Sequence, residues 1–236
     1  MTASSPPPVT QSLLVPGGLG SFALDDLDQF TREGLALAGS QAPVVLGRPA
    51  VPWTSNDFRL FYVGRDDVHD ILKYVLSRVT VSLYLNMFGY DDDELNSILM
   101  ELAHDPQITT AYTLDKSQSG GAHEKAILAS DAAADPTRYN ASFAIGQSAT
   151  HQISHTKGFV ADALVGGEGS TNWSGSGEGT FVVTGSAAPG PGYKAQNNTQ
   201  SIFTDSSNLG RFQAELISEH LTVLRGGGAI TPVAHG

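Results

Sequence analysis

Residues 155–172 read HTKGFVADALVGGEGSTN, and their spacing decides how the rest of the chain is read. A strand sends alternate side chains to one face, so His155 and Lys157 point the same way, separated by two residue rises, about 6.6 Å. Both can reach one bound anion. An imidazole can attack phosphorus, and an ammonium beside it neutralises charge on the non-bridging oxygens as the transition state forms. Downstream, ALVGGE supplies an apolar start and a glycine-rich turn, after which Gly169, Ser170 and Asn172 can bring backbone, hydroxyl and amide donors to the same phosphate. A lone HxK is trivial. Six residue types at fixed offsets, with Asp162 between the two halves, are rarely met by chance at ordinary residue usage.

The stretch fits HxKx4Dx6GSxN at every specified position and resembles the signature of the phospholipase D superfamily. The resemblance implies metal-free phosphodiester cleavage through a phosphohistidine, with no cofactor. His155, Lys157 and Asp162 would form the catalytic set, and Lys157, Ser170 and Asn172 would hold the substrate phosphate. Asp162 either supports that site electrostatically or caps a turn where the strand ends. The family's reaction uses one histidine as nucleophile and a second as general acid, whereas this chain carries one clear copy of the motif. A C2 homodimer that brings two copies of His155 to one shared site completes the pair. Single-motif bacterial endonucleases of the family look like this, so the resemblance favours a nuclease, with a phospholipase D or transphosphatidylase as the alternative.

Other residues are weighed against that set. His123 and Lys125 repeat the HxK spacing, but Asp131 falls one residue late and no GSxN follows; a helix would turn i and i+2 to different faces, which leaves them as rim residues of the pocket or as plain surface. Trp173 either stacks on a base or lipid group or wedges the loop. Where the family often has an acidic residue orienting the catalytic imidazole, this sequence has Asn197 or Asn198, and Glu178 is a substitute. His151 and His155 form an HxxxH that lacks the Glu of a zinc HExxH, so no metal is expected there. His69, His104, His220 and His235 read as surface or terminal residues without chemistry.

A net charge of −11, from 13 basic against 24 acidic residues, disfavours global steering of nucleic acid. A polyanion would have to be held locally, by residues such as Arg59, Arg65, Lys116, Lys125 and Arg138. The absence of cysteine excludes disulfides, thiolate metal sites and a cysteine nucleophile. The start MTASSPPPVTQS has no basic and apolar leader, and no run approaches a membrane span, so a cytoplasmic protein without integral membrane association is expected; a removed leader would leave secretion open.

Residues 1–57 read as an N-terminal arm with a short amphipathic helix ending near Gly39, and 58–236 as one phospholipase D-like domain. From Phe58, strands and helices alternate: FRLFYV, a helix through VHDILKYVL, SLYLNMF, a helix through DELNSILMELAH, ITTAYTLD, a short helix at GAHEKAILAS, SFAIG, the HxK strand pair, FVVTG, a strand near NNTQSIFT and a C-terminal helix. The expected fold is α/β, a mixed, largely parallel sheet flanked by helices on both faces.

Overall fold

Aspartates start the helices that order this fold. Asp67 accepts the Asp70 amide and Asp92 the Leu95 amide, capping α1 (Val68–Leu76) and α2 (Asp93–His104). Asp135, followed by a proline that fits the first helical turn, starts α4 (Pro136–Ser142), and Asp205 starts α7 (Ser206–Arg225). The structure is a computed structural model and describes residues 12–31, 53–117, 122–146, 154–187 and 190–226.

Among the described residues, seven strands form one sheet: β1 (Phe58–Tyr62), β2 (Ser82–Met87), β3 (Thr109–Asp115), β4 (Phe143–Gly146), β5 (Lys157–Ala161), β6 (Val165–Gly169) and β7 (Thr199–Phe203). Their order is β1-β7-β6-β5-β2-β3-β4. The α/β class and the mixed sheet are as expected, but the sheet is not largely parallel. Only β2–β3 and β3–β4 pair in parallel; the other four pairings are antiparallel. The reason is local. The Leu164 amide bonds back to the Ala161 carbonyl around Asp162 and Ala163, both at positive φ, and this tight turn folds β6 directly onto β5.

Alternation along the strands separates two apolar layers. Leu83, Leu85, Met87, Phe159 and Ala161 join the main core with α1 and α2, whereas Tyr84 and Val160 meet Leu209, Phe212 and Leu216 of α7 on the other face. Helix α3 (Ala122–Ala134) adds Ile127 and Leu128 to the main core. The arm is not separate from it: Leu19, Leu24 and Leu27, around a 3₁₀ helix at Leu24–Phe30, belong to the same core. The expected helix end near Gly39 lies outside the described residues.

The segment FVVTG, read as a strand from its β-branched residues, is helical. Left-handed glycines at 179 and 185 bracket the single-turn helix α6 (Thr180–Thr184), which directly follows α5 (Gly175–Glu178). No described helix is long and apolar enough to cross a membrane.

Candidate active site

The sheet register gathers the motif at one edge. Lys157 pairs with Met87 at the C-terminal end of β2, and Gly158 with Glu168 near the end of β6, so the HxK strand starts where the GSxN loop begins. The C-terminal ends of the parallel strands β2 and β3 open onto the same edge, the usual ligand side of such sheets. Just before β5, the Ser154 amide donates to Asp115 Oδ2 (2.7 Å) and its hydroxyl to Asn86 Oδ1 (3.1 Å), which pins the approach to His155.

His155 itself is exposed, with its ring 4.4 Å from that of Phe88. Lys157 is buried along its stem; its ammonium donates to the His155 carbonyl (2.8 Å) and lies 4.8 Å from the same Phe88 ring. Phe88 is therefore the floor shared by the His155 ring and the Lys157 ammonium, a contact not expected from the sequence. It directly follows β2, beside the position that pairs with Lys157, so only the register of β2 against β5 reveals it. Burial pulls the Lys157 ammonium below its ordinary range, with Glu168 opposing, and burial raises the Glu168 carboxyl against the pull of Lys157.

The GSxN loop is held by its own backbone neighbours. Ser170 Oγ accepts from the Thr199 amide and donates to Asn198 Oδ1, and Asn198 Nδ2 donates to the Gly177 carbonyl. Asn198 is thus buried support for Ser170, while Asn197 is exposed. At Gly169 a Cβ would run into the Thr199 carbonyl, so only glycine fits this close approach. Asn172 lies against Gly89, next to Phe88, and its buried Oδ1 has no hydrogen-bond partner. Trp173 is a wedge: it is 1% exposed, packs between Tyr90 and Phe159, donates its amide to the Gly89 carbonyl and accepts from the Asp91 and Asp92 amides.

Asp162 sits at the opposite end of β5, five residue rises or roughly 16 Å from Lys157. Its carboxylate accepts from the amides of Thr80, Val81 and Ser82 and from the Thr80 hydroxyl. The turn-capping role is the one its geometry fills. His123 and Lys125 are exposed on α3, where His123 faces Asp93 at 3.1 Å. Arg59 is buried against Asp25 and Trp53, and Arg65 pairs with Asp66 beside Tyr62, so both are occupied within the fold. His151 and His235 lie outside the described residues.

No protein-family model matches the sequence, and no curated protein matches it. Among solved structures, phosphatidylserine synthase of Haemophilus influenzae Rd KW20 superimposes with a TM-score of 0.50 at 10% identity, covering 70% of this chain and 37% of that one. Nuc from Salmonella typhimurium, a phospholipase D family member, gives a TM-score of 0.49 at 10% identity, over 70% of this chain and 94% of that one. The chain shares the fold of the phosphatidylserine synthase. NucT from Helicobacter pylori gives 0.48 at 11% identity, over 70% and 98% of the two chains. At these identities the likeness is one of fold.

Within this fold, two histidines assigned to the surface are buried. His220 on α7 bonds to Thr113 Oγ1 on β3, and burial lowers its pKa. His69 on α1 faces three carboxylates: Nδ1 meets Glu178 and, at 3.5 Å, Asp92, while Nε2 meets Glu94 at 3.0 Å. Burial opposes its charge, yet Glu178, Asp92 and Glu94 together raise its pKa. Glu178 is fully buried and pushed up by that burial, with His69 pulling it back. Its partner is therefore His69, and it is not the substitute acid for His155. The one sign of it in the sequence is the run of acids at 91–94, which leads from the turn that Trp173 tethers into α2.

Proposed function

We propose that the chain is a metal-independent phosphodiesterase that works as a homodimer through a phosphohistidine at His155, with nucleic acid as its substrate. The observation that carries this reading is the meeting of His155 and Lys157 on Phe88, beside the Asn172 amide. His155 attacks phosphorus in line, forming an N–P bond as the P–O bond to the leaving alkoxide breaks. Lys157, Ser170 and Asn172 hold the non-bridging oxygens. The partner subunit's His155 gives its proton to the leaving oxygen, then takes one from the water that releases the phosphoenzyme.

The dimer would supply a second histidine that the described residues of one chain leave no candidate for. Each of the other described histidines is engaged elsewhere: His69 with Glu178, His104 with Asp135, His123 with Asp93 and His220 with Thr113. An exposed His155 suits a site completed across a twofold axis. Asp162 enters this reading as scaffold for β5, and His123 and Lys125 as rim.

A second reading, phospholipase D or transphosphatidylase activity, is favoured by the net charge of −11 together with the occupation of Arg59 and Arg65. A panel of single-stranded and duplex DNA, RNA and phosphatidylcholine in chelator, run beside His155→Ala, separates the two. Nucleic-acid cleavage should weaken as salt rises, while lipid cleavage should follow the interface and detergent. Trapping a base-stable, acid-labile phosphoenzyme in the native chain but not in His155→Ala supports the intermediate. Full activity of His155→Ala would overturn it.

A further inference from the structure

A buried carboxylate, a capping aspartate and an imidazole nitrogen converge behind the GSxN loop. His69 Nδ1 and one carboxylate oxygen each of Asp92 and Glu178 all lie within 4.8 Å of one another. Asp92 spends Oδ1 on the Leu95 amide as the cap of α2 and turns Oδ2 toward His69 at 3.5 Å. Glu178 is fully enclosed, and its second oxygen, Oε1, has no hydrogen-bond donor. On the far side of the ring, Nε2 is held by Glu94, which is itself paired with Lys73 at 2.6 Å.

Charge and geometry make the same demand. Lys73 balances Glu94, which leaves two carboxylates, Asp92 and Glu178, facing one imidazole. A buried carboxylate with an idle oxygen carries a desolvation cost that a cation would offset. Tetrahedral zinc, with bonds of about 2.0–2.2 Å, sets its ligand atoms roughly 3.3 Å apart. His69 and Asp92 already stand at 3.5 Å, whereas His69 Nδ1 and Glu178 Oε2, hydrogen-bonded at 2.5 Å, would exchange the shared proton for the cation and part to admit it. Glu94 would fix the ring as the Nε2–H form and present the Nδ1 lone pair, the usual outer carboxylate of a ligating histidine.

We propose that His69, Asp92 and Glu178 form a divalent-cation site of one nitrogen and two oxygen ligands, best matched to Zn²⁺. The cation would clasp three elements: α1 through His69, the start of α2 through Asp92, and α5, five residues past Trp173, through Glu178. Its role is to tie α5 to the starts of α1 and α2, while Ser170 stays held by Thr199 and Asn198 with or without it. It is distinct from the chemistry at His155 and stands independently of it.

The test is binding of ZnCl₂ to the untagged full chain after chelator dialysis, by calorimetry and thermal unfolding. One equivalent per chain should bind, and a free concentration a hundredfold above Kd should raise the unfolding midpoint by about 5 °C or more. His69→Gln and Glu178→Gln should abolish both effects. Asp92→Asn keeps a good helix cap and guards against misfolding; it should weaken binding at least tenfold with an unchanged circular-dichroism spectrum. His155→Ala should still bind one equivalent. Absence of saturable binding, unchanged affinity in Asp92→Asn, or loss of binding in His155→Ala would each overturn the site, and none of these outcomes touches the phosphohistidine reading.

Discussion

At the scale of single residues, the turn after β5 sets Asp162 apart from the rest of its motif. Asp162 has φ of 53° and Ala163 of 55°, but only Asp162 compensates through its carboxylate. Asp162→Ala leaves the amides of Thr80, Val81 and Ser82 without that acceptor. Because the site is partly exposed and water fills in, the expected loss is about 2–3 kcal/mol by denaturant unfolding. Turnover per folded molecule, measured well below the midpoint, should change less than threefold, whereas His155→Ala should lose turnover and keep stability. Ala163 is exposed and holds a left-handed conformation that costs an alanine energy. Ala163→Gly should therefore stabilise the chain by about 0.5–1 kcal/mol, the relief of strain exceeding the added freedom of the unfolded chain.

At the scale of elements, the sequence and the structure agree where local pattern decides and part where pairing decides. The helices α1 and α2 and the strand β2 were legible because each is settled within a few residues. The HxK and GSxN pieces could be picked out as a candidate site for the same reason. Strand direction was not legible, since nothing between Asp162 and Leu164 announces that Ala163 will accept a left-handed turn. FVVTG misled because β-branched residues mark strands only when a neighbour is available to pair, and the flanking glycines close the chain into a helical turn instead. Phe88, His69 and Glu178 were illegible as partners because their meetings depend on the register of β2 against β5 and on the path of a loop. The junction of β5 with α7 shows how tight such register-dependent packing is. A Cβ on Gly158 would lie 2.5 Å from Phe212 Cζ and 2.8 Å from the Gly167 carbonyl. Gly158→Ala should cost about 1–3 kcal/mol. Adding Phe212→Leu should recover only part of that loss, because the carbonyl stays in place.

At the scale of the whole molecule, burial of acids sets how stability responds to pH. Desolvation raises the carboxyls of Asp67, Asp91, Glu124, Asp131, Glu168 and Glu219. Glu124, whose face of α3 turns inward between exposed His123 and Lys125, is the extreme case. Burial, with Asp91 and Asp115 adding to it and the Tyr90 amide opposing, lifts it from an ordinary 4.5 to about 8. Between those two values the folded chain keeps a proton that the unfolded chain has released. Stability therefore falls as pH rises from about 4.5 to about 8, and the self-repulsion of a chain at −11 acts in the same direction. Wild type should unfold at a higher temperature at pH 6 than at pH 8. Glu124→Gln has no carboxyl to ionise, so its midpoint should lie above that of wild type at pH 8, with the gap closing toward pH 5. A gap that is constant across this range would show that Glu124 ionises in the folded chain as freely as in the unfolded one, and that the pH dependence arises from other acids.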